Sequence, residues 1–146
     1  MQFVLREKFL ATVDKRNESA VLVFDYEEGV VIHHILLSDE IIQIFDPTIL
    51  FDANIVPSSV YNTFFARSVN HTIFEIELSE TRHLVHPFTY TNEESDPITC
   101  ACACYLNLSN TSLRSFLDKS AGTCIITGHH SGAVRMLSSN ATYNEE

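Results

Sequence analysis

An α+β fold, one mainly antiparallel sheet packed by two helices, follows from three observations. A hairpin pattern spans Ala20 to Leu37, an alternating strand pattern spans His71 to Ser79, and a helical apolar stripe runs from Ser59 to Val69. A two-sheet β-sandwich with short helices is the alternative. At 146 residues the chain is sized for a single domain over residues 1–137, followed by a polar tail over residues 138–146.

Phe3 to Val13 fits a strand through Phe3, Leu5, Phe9 and Val13, although Val4, Leu5, Lys8 and Phe9 also suit a helix face. Ala20 to Tyr26 and Val30 to Leu37 flank Glu27, Glu28 and Gly29, the arrangement of a hairpin with a glycine-containing turn. Ser38, Asp39 and Glu40 break the run before Ile41 to Phe45, which continues an antiparallel meander as its third strand. Pro57, Ser58 and Ser59 open a helix whose Val60, Tyr61, Phe64, Phe65 and Val69 form one stripe against the sheet.

His71 to Ser79 alternates, with Glu75 and Glu77 on the side away from Phe74, Ile76 and Leu78. Glu80 to Pro97, with two prolines and the polar cluster Thr91 to Asp96, reads as a long loop. Ile98 to Leu108 is a strand in which Ala101 and Ala103 alternate with Cys100, Cys102 and Cys104. Ser112 to Ser120 is a short helix, with Leu113, Phe116 and Leu117 inward and Gly122 at its C-terminal cap. Thr123 to Thr127 and Ala133 to Leu137 are strands about a Gly128 to Gly132 turn. The expected core is Val21, Val23, Val31, Ile35, Ile42, Ile44, Phe64, Phe65, Phe74, Ile76, Phe116 and Ile126.

Composition excludes several function classes. Apolar residues make up 45% and charged residues 19%, which is too apolar for intrinsic disorder. The net charge of -10 has the wrong sign for neutralising a phosphate backbone, so direct nucleic-acid binding is not expected. The apolar runs are far shorter than the roughly 20 residues of a membrane-spanning helix, and no membrane partner is expected. Arg6, Glu7 and Lys8 interrupt any signal-peptide apolar stretch, so the expected location is the cytoplasm or a virion, with reduced cysteines. Five Asn-x-Ser/Thr triplets, at Asn17, Asn70, Asn107, Asn110 and Asn140, read as unglycosylated. Phosphate-binding loops and the common hydrolase motifs have no match.

Chemistry has few candidates. Cys124 with His129 and His130 supplies the residue types of an imidazole-activated thiol, although an extended strand separates them by about 13 Å or more. Their alternative reading is a buried cysteine and two exposed turn histidines. His83 and His86, with the cysteine row, offer metal-ligand types without a paired zinc spacing, and neither metal nor cofactor is expected. His33 and His34 are adjacent on a strand, so one points inward and needs a partner, in a core or at a subunit contact. No Lys or Arg lies between Arg16 and Arg67, a segment whose acidic face includes Glu27, Glu28, Asp39 and Glu40.

These features predict a non-enzymatic structural or adaptor subunit that acts through protein contacts, in a homo-oligomer or a larger particle such as a viral or phage assembly. Its expected partners are copies of itself or other assembly subunits. An acidic regulatory binder of a basic partner is one alternative, and a small hydrolase using Cys124, His129 or His130 is another.

Overall fold

Strands alone account for the regular structure in the computed structural model, which describes residues 3–5, 9–50, 62–79, 81–89, 96–107 and 121–138. They are β1 (Phe3–Leu5), β2 (Leu10–Val13), β3 (Ala20–Asp25), β4 (Val30–Leu36), β5 (Ile41–Phe45), β6 (Pro47–Leu50), β7 (Thr63–Ser68), β8 (Thr72–Leu78), β9 (His83–Thr89), β10 (Ile98–Asn107), β11 (Ala121–His129) and β12 (Val134–Ser138). Among the described residues there is no α-helix, so the expected α+β class is replaced by an all-β one.

The chain forms two compact units, one from Met1–Asp46 and Tyr61–Tyr90, the other from Pro47–Val60 and Thr91–Glu146. The first holds two antiparallel sheets, ordered β1-β2-β3-β4 and β5-β7-β8-β9. The second holds one sheet, β12-β11-β10-β6, antiparallel except where β6 runs parallel to β10. In the first unit, Ala11, Val21, Val23 and Ile35 of one sheet share a core with Ile41, Ile44, Phe64, Phe74 and Ile76 of the other. That unit therefore resembles the sandwich alternative, while the third sheet lies outside it.

The helix expected over Ser59 to Val69 is overturned where it is described. Thr63–Ser68 is the strand β7, hydrogen-bonded between β5 and β8. A central strand buries both faces, so consecutive apolar residues mimic a helical stripe. Phe64 turns into the shared core, and Phe65 stacks on Phe45 with ring centroids 5.5 Å apart. The second expected helix, Ser112 to Ser120 with Phe116, lies outside the described residues, as does the Asn92 to Ser95 part of the expected loop.

Strand Ile41 to Phe45 forms as expected, but it pairs with β7 rather than extending the β3–β4 hairpin as a meander. Within the expected loop Glu80 to Pro97, His83–Thr89 is instead the edge strand β9, fully paired with β8 from Leu78↔His83 to Thr72↔Thr89. An edge position tolerates Pro87, whose missing N–H would break a central ladder.

Two β-bulges explain the misplaced core residues. Val23 pairs with His33 but Phe24 with Val31, so Ile32 is an extra residue on β4. Beyond it the faces exchange, leaving Val31 half exposed while His33 and Ile35 point inward. Ile41 pairs with Ser68 and Gln43 with Arg67, which makes Ile42 the extra residue on β5. Ile41 and Ile44 then share the core although three residues apart, and Ile42 faces outward. Ile126 is partly buried against Cys104 and Cys124. The other expected core positions outside residues 108–120 are buried.

Candidate functional site

The feature with the least ordinary chemistry is the edge strand β4. Among the described residues it pairs only with β3, so one row of its backbone groups has no strand beside it. Its sequence, Val-Val-Ile-His-His-Ile-Leu, contains no charged residue and no proline. Val30, Val31 and Ile32 are each about half exposed, and Leu36 is 67% exposed. Natural edges of this length are usually protected by lysine, proline or a covering segment, because an apolar exposed edge templates another strand.

The strand is anchored at its turn and on its inner face. At the β3–β4 turn the Asp25 carboxylate accepts hydrogen bonds from the Glu27 and Glu28 amides, both at 3.1 Å, and Gly29 N donates to Asp25 O at 2.7 Å. Gly29 has φ 72°, a left-handed conformation that favours glycine. Inside, His33 Nε2 donates to the Ser79 carbonyl at 3.0 Å, and its ring meets that of His83 edge-on at 5.6 Å. The inward histidine of the pair is thus His33, with partners across the sandwich, while His34 is exposed and 3.9 Å from Asp14. Burial, with the nearby His33 as a smaller cause, lowers the pKa of His83.

The acidic candidates divide by role. Glu27 and Glu28 are exposed at the turn beside β4. Asp39 accepts from Ser68 Oγ at 3.3 Å and from Asn70 Nδ2 at 2.9 Å, tying the 38–40 connection to the end of β7. Glu40 is exposed and hydrogen-bonded to Glu18, which raises its pKa because the bonded pair favours a shared proton. Asp39 is therefore committed to internal bonds, while the two turn glutamates face solvent.

Cys124, His129 and His130 are not brought together. Cys124 and His129 stand five residues apart on β11 and so point to opposite faces of the sheet. His129 is not an exposed turn residue. It ends β11 and is buried, its Nδ1 donating to Asp96 O at 2.9 Å and its Nε2 accepting from Thr127 Oγ1 at 2.9 Å. Hydroxyl and imidazole are hydrogen-bonded, but the imidazole donates to the main-chain carbonyl of Asp96 while the nearest carboxylate oxygen is 3.9 Å away, and Thr127 has no exposed surface, so its hydroxyl cannot meet a substrate. The arrangement instead fastens the β11–β12 hairpin. Asp96 also accepts from Ser131 N at 2.9 Å and Ser131 Oγ at 2.8 Å, and pairs with Arg135 at 3.4 Å. Those amide and hydroxyl donors lower its pKa. His130 is exposed, and its amide donates to Pro97 O at 2.9 Å.

His83 and His86, three apart on β9, likewise occupy opposite faces. No group of three or more His, Cys, Asp or Glu side chains among the described residues is placed to hold a metal ion. No helix among them is long and apolar enough to cross a membrane. The sequence marks Val30 to Leu37 as a hairpin strand whose inward histidine needs a partner in a core or at a subunit contact, and not as a sheet edge. Its available signal was the uncharged eight-residue run, but strand order decides that this run lies at an edge. Compared with models of known protein families and with curated proteins, the chain matches none.

Proposed function

We propose that this protein is a non-enzymatic assembly subunit whose β4 edge pairs antiparallel with β4 of a second copy about a two-fold axis. The exposed, uncharged edge of β4 carries this reading. Backbone N–H and C=O groups supply the bonds of strand addition, and Val30, Val31, Ile32 and Leu36 supply apolar surface that pairing removes from water. A two-fold axis makes one strand serve as both donor and acceptor, so a single sequence suffices for the contact. β12 is also an edge strand and exposes Val134 and Met136, but it is shorter and carries Arg135.

Charge distinguishes this from docking of a basic partner on Glu27 and Glu28. Two copies each bearing -10 repel, and salt screens that repulsion, so self-association strengthens as ionic strength rises. Binding to a basic partner weakens instead. The test is sedimentation velocity, with native mass spectrometry, at low and moderate salt on the parent chain and on Ile32→Lys and Leu36→Lys. A discrete oligomer, tighter in salt and dissociated by both lysines, supports the proposal. A monomer throughout, or an oligomer indifferent to both lysines, overturns it.

A further inference from the structure

All four cysteines of the chain lie on one face of the sheet in the second unit. Cys100, Cys102 and Cys104 alternate along β10, and Cys124 of β11 stands on the same face, directly opposite Cys104 in the antiparallel register. The residues opposite the other two differ in kind: Gly128 faces Cys100 and Ile126 faces Cys102. Cys104 and Cys124 are buried and pack together, partly covered by Ile126, whereas Cys100 and Cys102 are exposed. None of the four is in a disulfide.

We propose that Cys104 and Cys124 form an oxidation site, a cross-strand thiol pair that a small peroxide converts into a disulfide. Directly opposed residues of an antiparallel pair have Cα atoms about 4.5 or 5.5 Å apart, both inside the roughly 4.4–6.8 Å span of a disulfide. Their Cβ atoms stand about 4.5–5.5 Å apart and a disulfide wants about 3.5–4.5 Å, so the strands pinch by at most about an ångström. The exposed thiols lack this geometry. Cys100 and Cys102 are two residues apart on one strand with parallel side-chain directions, so their Cβ atoms stand about 6.5–7 Å apart, well beyond the roughly 3.5–4.5 Å a disulfide needs.

The chemistry balances with hydrogen peroxide as the oxidant. The Cys104 thiolate attacks one peroxide oxygen and breaks the O–O bond; the departing hydroxide takes a proton, leaving a sulfenic acid and one water. The Cys124 sulfur then attacks the sulfenic sulfur, forming the S–S bond and expelling hydroxide, which takes the thiol proton as the second water. Two thiols lose two electrons, and peroxide gains them. Hydrogen peroxide is small enough to reach a thiol that bulkier disulfide oxidants cannot. Burial, with Cys124 and Cys102 adding to it, holds the Cys104 thiol up at about 11, so the reaction is slow at neutral pH.

The experiment uses the full chain carrying Cys100→Ser and Cys102→Ser, exposed positions whose replacement leaves the packing intact. After hydrogen peroxide under native conditions, peptides are mapped by mass without reduction. The expected product is one linked pair joining Cys104 to Cys124 within a single chain, reversed by dithiothreitol and absent from the further variant Cys124→Ala. Its rate rises roughly tenfold per pH unit below about 11, and the thermal midpoint rises by several degrees on oxidation. Sulfinic or sulfonic acid on either cysteine without the link, a link between two chains, or two unmodified thiols after peroxide has consumed the exposed cysteines of the parent overturns the proposal.

Discussion

A methyl group added at Gly128 would sit 2.7 Å from Cys100 Sγ, against the roughly 3.5–4.0 Å of an ordinary contact between heavy atoms. About an ångström of movement is therefore required. Thr99 Oγ1, at 3.8 Å, is no obstacle, and Gly128 does not occupy the left-handed region, so alanine suits the backbone. Cys100 is exposed and yields by turning about its single χ angle, which costs about 0.5–1.5 kcal/mol. Against this, alanine is worth about 0.5–1 kcal/mol over glycine within a strand, through the entropy of the unfolded chain. Gly128→Ala alone thus comes out near neutral. In a Cys100→Ala background the obstruction is gone and the same change stabilises by about 0.5–1 kcal/mol, a coupling of about 1 kcal/mol between the two positions. Urea unfolding of all four proteins, read through hydrogen exchange of β10 and β11 amides, measures it within the sheet concerned. Additivity within about 0.3 kcal/mol would refute the close approach of thiol and glycine.

Phe64→Ala empties a fully buried aromatic site that also contacts Phe9, and equilibrium urea denaturation is expected to show a loss of about 3–5 kcal/mol. Thr127→Val keeps the shape but removes the hydroxyl donated to His129 Nε2, at an expected cost of about 1–3 kcal/mol; exchange at the β11–β12 amides should show it first. His83 has its pKa lowered by burial, so the unfolded chain binds its proton more readily than the folded one. Its contribution is fully present above its ordinary value of 6.5 and is lost as pH falls from there towards the folded pKa. Thermal midpoints of the parent should fall more steeply than those of His83→Gln across that window, and parallel curves would contradict the assignment.

The parts of the fold that were legible in the sequence depend on near neighbours. The β3–β4 hairpin was visible because Gly29 supplies the turn conformation and both flanks are apolar runs; β8 was visible because its alternation is unbroken. Ile32 and Ile42 defeated the core assignment because a bulge shifts every later side chain to the other face, and a strand pattern carries no mark of the extra residue. β7 was misread because burial of both faces erases the period-two signal that separates strand from helix. The candidate site was half legible. Its uncharged run stood in the sequence, while its edge position depends on which strands meet, a non-local property. The opposition of Cys104 and Cys124 depends in the same way on register between segments twenty residues apart.

β5 and β6 are separated by Asp46 alone, yet they belong to different units, and the chain changes unit again after Val60 and after Tyr90. No single cut liberates either unit as one continuous piece. During synthesis Pro47–Leu50 emerges long before its parallel partner at Ala103–Leu106 exists. The nascent chain must hold that strand without its ladder while the β7–β8–β9 hairpins close, so the last sheet can be completed only once residue 138 has been made. Moving the segment 47–60 to follow residue 90, by rearranging the gene, would let the first unit be made without interruption and would turn a slow, order-dependent assembly into a largely local one.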